Sequence, residues 1–257
     1  MLSMPQETID TAGLRLTFAL APWDQDIRGA PAAAIQSLEV RQSDLAEQDF
    51  ARFLDWCRTH GVRFVTARLP HHQIDAVGFL EQVGFRFVEL NYRPHTKTLV
   101  RYAAADGVLI RPATEDDMVT VASVAAQAFQ ATRFTADTRL SRDVNSQRYR
   151  SWALAAFCNP DQGVFVGFRQ GTFAAFFVVE RPSVNTIHWS LVAMDPALAG
   201  RGFAGDVWST MLVHHRADGV DTVSTSISSL NVSAMNLYVS LGFSFPEPSV
   251  TLHWLPT

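Results

Sequence analysis

Three glycines at positions 200, 202 and 205, with the small Ala204 between the last two, interrupt an apolar stretch and offer a seat for an anion. The run reads Leu191-Val192-Ala193-Met194-Asp195-Pro196-Ala197-Leu198-Ala199-Gly200-Arg201-Gly202-Phe203-Ala204-Gly205. His188 to Met194 has the apolar, β-rich character of a buried strand. From Asp206 onward Val207, Trp208, Met211 and Leu212 recur at helical spacing. The loop therefore opens a helix, whose first backbone N–H groups lack partners inside it and carry the positive end of its dipole. Without a Cβ at 200 and 202 an anion can come close to those amides. A diphosphate is the guest that this spacing suggests.

Two kinds of cofactor site use such a loop. Gly200, Gly202 and Gly205 satisfy Gly-x-Gly-x-x-Gly, and Asp221 lies at about the distance expected of a ribose-binding acid. A dinucleotide fold, however, needs several parallel strands after this unit, and only residues 222–257 remain. Asp221 also starts the next strand, at the wrong end to meet a ribose. A nicotinamide enzyme is thus the weaker reading. Met194-Asp195-Pro196 followed by Ala199-Gly200-Arg201-Gly202-Phe203-Ala204 instead resembles the acyl-CoA loop of GCN5-related N-acetyltransferases (GNAT), with Ala199 where that family usually has Gln or Arg.

A second segment resembles the same family at the spacing it demands. Thr222 to Ser228 reads as a strand, and Asn231-x-x-Ala234-x-x-x-Tyr238-x-x-x-Gly242-Phe243 follows. Asn231 is placed as an N-cap, Ala234, Leu237 and Leu241 form one stripe, and Gly242 ends the helix. The resemblance implies acetyl-CoA as cosubstrate. It puts the backbone of Val192, Ala193 and Met194 beside the pantetheine, and Ala199, Gly200, Arg201, Gly202, Phe203, Ala204 and Gly205 at the pyrophosphate. Asn231 and Asn236 are implied on the CoA arm, and Tyr238 near the sulfur, where its hydroxyl can protonate the departing thiolate.

An internal repeat organises the elements that must carry these residues. Ala76 to Phe87 matches Ala234 to Phe245 at a constant offset of 158 residues, from Gly84 to Gly242, with Ala, Gly and two Phe coinciding. Leu45 to Thr59 reads as an amphipathic helix and Val62 to Leu69 as a strand, the same order as in the second copy. The first copy lacks a Gly-x-Gly before Leu45 and has Leu80 in place of the tyrosine, so it is expected to be structural and inert.

The complete copy begins near Gly107. Val108 to Pro112 reads as its first strand, Thr114 to Phe129 as a capped helix, and Tyr149 to Phe157 as a second helix. Gly163 to Arg169 and Thr172 to Glu180 form a hairpin about Gln170-Gly171. Arg93 to Asp106 is read as a crossing strand and linker. The expected fold is mixed α/β of the GNAT type, a truncated half at 1–100 joined to a complete domain at 107–257. The layout resembles that of TDP-fucosamine acetyltransferases, which implies acetyl transfer to a primary amine of a small molecule, including a nucleotide-linked amino sugar. Arg133, Phe134 and Arg139, with Arg142 and Arg148, fall in a basic connection that could meet a substrate diphosphate.

Acetyl transfer from a thioester needs a neutral amine, a stabilised oxyanion and a proton for the sulfur. His188, Glu180 and a water chain are all open as the base, and His188 is the substrate-side residue of the fourth strand. Composition adds exclusions. The net charge of −4 disfavours a nucleic-acid surface. No apolar run approaches the length of a membrane span. Two cysteines, Cys57 and Cys158, suggest neither a disulfide framework nor a thiolate metal site. His71-His72 and His214-His215 are neighbours without a carboxylate at metal-ligand spacing, so no metal is expected. A cytoplasmic location and a small-molecule partner follow as expectations, with a homodimer left open. A catalytically silent acyl-CoA sensor is the alternative function.

Overall fold

The computed structural model describes residues 5–97 and 99–256, with Asp26 and Arg142 described by their backbone. Strands β1 (Glu7–Asp10), β2 (Leu14–Leu20) and β3 (Ala32–Val40) lead into α1 (Ser43–Thr59), β4 (Phe64–Pro70), α2 (Ile74–Gln82) and β5 (Arg86–Tyr92). Next come β6 (His95–Lys97), β7 (Val108–Pro112), α3 (Met118–Ala128), α4 (Arg133–Ala136) and α5 (Arg142–Cys158). The chain continues through β8 (Gln162–Arg169), β9 (Thr172–Ser183), β10 (Thr186–Met194) and α6 (Ala204–Ala217). It closes with β11 (Thr222–Thr225), β12 (Ile227–Ser228), α7 (Val232–Ser240) and β13 (Ser249–Trp254). This is the mixed α/β order that the sequence implies. The repeat shows in the bounds: Ile74 to Val232 and Gln82 to Ser240 preserve the same offset at both ends of α2 and α7. Where β4 runs unbroken, its counterpart is interrupted at Ser226, between β11 and β12.

Packing divides the chain into two compact units that are not consecutive stretches, in contrast to a simple division into 1–100 and 107–257. One holds the described residues up to Asn91, Ala136–Leu140 and residues 247–256; the other holds Tyr92–Thr135 and Ser141–Pro246. Hydrogen bonding explains the exchange. β13 pairs antiparallel with β4 from Ser249↔Pro70 to Trp254↔Val65, and with β5 on its other side, so its backbone groups are satisfied within the first sheet. Conversely, β6, the crossing strand, pairs antiparallel with β11 in the second.

In the first unit the strand order is β1-β2-β3-β4-β13-β5, with β3 and β4 parallel. The α1 stripe of Ala46, Phe50, Phe53 and Cys57 packs with Leu14, Leu16, Phe18 and Leu69. Leu80, the counterpart of Tyr238, is fully buried in this core, as an apolar packing residue should be. Burial pushes the Cys57 thiol up to about 12, so it is an inert core residue.

The second unit's sheet has the order β6-β11-β10-β9-β8-β7, with β10 and β11 parallel and the other pairs antiparallel. The turn between β8 and β9 places Gln170 and Gly171 at φ 49° and 79°, the left-handed pair that a two-residue hairpin requires. Strand alternation sends Phe177 and Val179 to one face, against Val207, Trp208, Met211 and Leu212 of α6. Phe176 and Val178 go to the other face, against Val121, Val124, Ala125, Ala153 and Ala156 of α3 and α5.

Asp117 fastens the entry to α3. It accepts from Arg111 in a two-pronged pair at 2.7 and 2.9 Å, and from the Thr114 N–H at 2.7 Å. The Arg111 hydrogen bond lowers the Asp117 carboxyl from 3.8 to about 2. A carboxyl depressed by folding stabilises above its unfolded pKa, and that contribution is lost as pH falls through the folded value. Asp117→Asn is therefore expected to cost about 2 kcal/mol near neutral pH. The difference from wild type should close between about pH 4 and about pH 2 in denaturant unfolding. A difference that stays constant with pH would exclude this role for the ion pair.

Candidate functional site

The parallel pairing of β10 with β11 runs from Thr186↔Thr222 to Trp189↔Thr225 and stops there. β10 continues for five more residues, to Met194, still paired with β9 on its other side after a register shift between Trp189 and Leu191. The two strands thus part, leaving one edge of β10 without a strand partner from Ser190 to Met194 among the described residues. The thread holding them at the root is Thr225, whose hydroxyl donates to the Trp189 carbonyl at 2.9 Å. The Asp195 N–H donates to Ala174 of β9 at 2.8 Å. By the period of two along a strand, the N–H and C=O of Ala193 also point at β9, and those of Val192 and Met194 point into the opening.

Beyond Met194 the chain turns through Pro196–Leu198, with the Asp195 carboxylate accepting from the Ala197 N–H at 2.9 Å. Two loop amides are already used: Ala199 donates to Pro196 at 3.2 Å and Arg201 to Leu198 at 3.4 Å. Among the described residues, the N–H groups of Gly200, Gly202, Phe203, Ala204 and Gly205 have no hydrogen-bond acceptor. Phe203, the N-cap of α6, contributes no side-chain cap. The expectation for Ala199 is adjusted accordingly: its N–H shapes the loop, so the absence of Gln or Arg there leaves the unbonded amides intact. Gly200 and Gly202 sit at φ 76° and 80°, which only glycine adopts readily, and a Cβ at either would meet open space. Arg169 of β8 pairs with Asp206 and lies over the Phe203 ring at 4.2 Å, so the acid in the first turn is neutralised. The Arg201 side chain is exposed.

Asn231 caps α7, its side-chain oxygen accepting from the Ala234 N–H at 3.1 Å, as expected. Asn236 is exposed on the outer face of α7, while Ala234, Leu237 and Leu241 pack inward. Tyr238 is 3 % exposed, within the core beneath α6. Its oxygen accepts from the Trp208 Nε1–H at 3.2 Å. Burial pushes the phenol up to about 12, so it stays protonated at any physiological pH. Because Trp208 can only donate, this contact does not use the phenolic proton. The sequence points to Tyr238 but not to its contact with Trp208. Trp208 was legible only as an apolar helix position.

His188 precedes the parting by one residue. Ile187 and Trp189 belong to the α6 side, so His188 projects to the opposite face from Tyr238. Its Nδ1 lies 3.0 Å from the Ser224 hydroxyl, and burial, aided by Arg93, lowers it from 6.5 to about 4. It is thus a neutral and weak base. Glu180 stands across from it in register and accepts from Gln162 at 2.8 Å.

The basic connection is split by the structure. Arg133 and Arg148 lie over the Phe134 ring at 4.3 and 4.8 Å, and Arg148 also covers Trp152 at 5.5 Å. Phe134 itself is buried. Arg139 belongs to the other unit, where its guanidinium grips Asp137 with two contacts of 2.8 Å and the His253 carbonyl at 3.2 Å. Burial pushes the Asp137 carboxyl up, but hydrogen bonds from His253 and Arg139 outweigh it and hold it well below the usual range. Arg139 is therefore a structural ion-pair residue of the first unit. The side chain of Arg142 lies outside the described residues.

The first unit shows why its own helix start is not a second cradle. Only Arg41 and Gln42 separate β3 from α1. Their N–H groups both donate to the Gly13 carbonyl, at 2.8 and 3.1 Å. Gly13 is wedged there: a Cβ on it would stand 2.5 Å from an Asp49 oxygen and 2.7 Å from the backbone of Leu45. The turn between β1 and β2 fills the place that an anion would need.

The acetyltransferase (GNAT) family model matches residues 125–243, which span α5, β8 to β10, the glycine loop and Tyr238. Solved structures similar to the chain include a tandem GNAT protein of the clavulanic acid biosynthesis pathway, crystallised without acetyl-CoA. It is 14% identical, with 95% of this chain and 80% of that one covered and a TM-score of 0.61. A functionally unknown conserved protein of Staphylococcus epidermidis ATCC 12228 is 11% identical over 100% and 96% of the two chains, with a TM-score of 0.68. A GCN5-related glucosamine N-acetyltransferase region of a fungal multi-domain β-N-acetylglucosaminidase is 10% identical, with a TM-score of 0.66 over 94% of this chain and 31% of that one. No curated protein matches the sequence. Residues 125–243 thus match the acetyltransferase (GNAT) family, and the chain shares its two-part fold with tandem GNAT structures.

Proposed function

We propose that the second unit is an acetyl-CoA-dependent N-acetyltransferase acting on a primary amine of a small molecule. The observation that carries this reading is the unpaired edge of β10 beyond Trp189, leading to a glycine loop with five unbonded amides at the start of α6. The residues present fit acetyl-CoA. Val192 and Met194 offer N–H and C=O groups to a pantetheine arm, in the manner of a strand added to a sheet edge. The amides of Gly200, Gly202, Phe203, Ala204 and Gly205 face a diphosphate, with Arg201 as an exposed cation beside them. Asn231, at the N-cap of α7, is the helix residue proposed to flank the arm. The cosubstrate would supply the activated acetyl group; the protein supplies orientation, an N–H for the carbonyl oxygen and a proton.

Tyr238 is proposed as that proton donor. Burial raises its pKa and keeps the proton on the hydroxyl. The weak basicity of His188 favours Glu180 or a water chain as the acceptor of the amine proton. Arg133 and Arg148 over Phe134 support an anionic amine, and the glucosamine N-acetyltransferase region with the same fold supports an amino sugar. A silent acyl-CoA sensor is the second reading, favoured by one observation: the Tyr238 hydroxyl is engaged within the core. Thiol release from acetyl-CoA across a panel of amino sugars, nucleotide-linked amino sugars, polyamines and amino acids decides between them. Turnover with one amine class at a rate well above hydrolysis is expected; binding of acetyl-CoA with no thiol release for any amine would favour the sensor.

A further inference from the structure

We infer that His71, His72 and Glu247 form a binding site for a divalent transition-metal ion of the zinc type on the first unit. The sequence shows only adjacent histidines with no carboxylate at ligand spacing. Folding brings one from 175 residues away. The Nδ1 atoms of His71 and His72 lie 2.6 and 2.5 Å from the same Glu247 oxygen, and all three atoms fall within 4.8 Å of one another. The histidines are not on a helix, where neighbours would diverge, but in the turn between β4 and α2, with their rings at 80° to each other. The backbone sets this convergence. The His71 N–H donates to the Pro248 carbonyl at 3.1 Å, one step beyond the Pro70↔Ser249 pair, so Glu247 is delivered by the β4–β13 ladder itself.

Two imidazole nitrogens and one carboxylate oxygen suit zinc, nickel or copper better than magnesium or calcium, which prefer all-oxygen shells. Zinc holds such atoms at about 2.0–2.2 Å, which sets them about 3–3.5 Å apart. The three side chains are exposed, at 50, 62 and 44%, so small rotations reach that spacing and leave a fourth position to water. An ion here would fasten Glu247, the first residue of the returning segment, to the turn that follows β4. This site is independent of the acetyl-transfer reading.

Untagged full-length protein titrated with cobalt(II) tests the site, followed by displacement with zinc. One equivalent of cobalt with the visible absorption of a four-coordinate ion is expected, and zinc should raise the thermal midpoint. The His71→Ala/His72→Ala double variant and Glu247→Gln should each bind zinc at least about 10-fold more weakly. His214→Ala, at a separate histidine, should bind as wild type does. Because all three ligands are exposed, circular dichroism should show the variants folded. Equal zinc affinity in wild type and the double variant, or no binding by either, would overturn the inference and leave the cluster an ion pair only.

Discussion

Gly202→Glu is expected to weaken acetyl-CoA binding by about 10²- to 10⁴-fold, because hydrogen bonds to a charged group are each worth about 1.5–3 kcal/mol and at least two are lost. The substitution places a carboxylate among amides that have no other acceptor, so the protein supplies its own anion at the cradle. Space is not the obstacle, since a Cβ at 202 meets nothing within 4 Å. Backbone strain is a separate effect: φ at 202 is 80°, which costs an ordinary residue about 1–2 kcal/mol. Gly202→Ala isolates it. The alanine variant should lose some stability and keep most of its affinity, whereas the glutamate variant should lose affinity in calorimetry. Matching affinities for the glutamate variant and wild type would remove the loop from the binding site.

Tyr238→Phe is expected to lower turnover by about 10²-fold, the low end for general acid assistance, since a thiolate leaves readily. The buried surroundings of the hydroxyl add a second effect. Without it, the Trp208 Nε1–H loses its acceptor inside the core, at a cost of about 1–3 kcal/mol in stability. The thermal midpoint should fall and the affinity for acetyl-CoA should hold, because the substitution leaves the unbonded loop amides unchanged. Turnover within about twofold of wild type, together with the lower midpoint, would make the hydroxyl a structural partner of Trp208 and end its role as proton donor.

The glycine loop was legible because its physical requirement is local: left-handed backbone and a helix start leave a direct mark in residue types. The same holds for the Gln170-Gly171 hairpin, the Asn231 cap and the repeat that sets Leu80 against Tyr238. What the sequence concealed depends on long-range pairing. No local pattern says that β13 completes the sheet of the first unit, that Glu247 meets His71 and His72, or that Arg139 is drawn to Asp137. The plug at Gly13 is likewise silent, since a glycine in a short turn reads alike whether its carbonyl faces solvent or two amides. Sequence reading rested the inertness of the first half on residues it lacks; the structure adds a residue that fills the space.

The central claim is that one cradle per chain, that of the second unit, receives acetyl-CoA. Calorimetric titration of the full-length chain with acetyl-CoA, and in parallel with NAD, measures this directly. One site per chain for acetyl-CoA and no heat with NAD is the expected result. Two acetyl-CoA sites per chain would contradict the plugged first unit, and binding of NAD without acetyl-CoA would contradict the account as a whole.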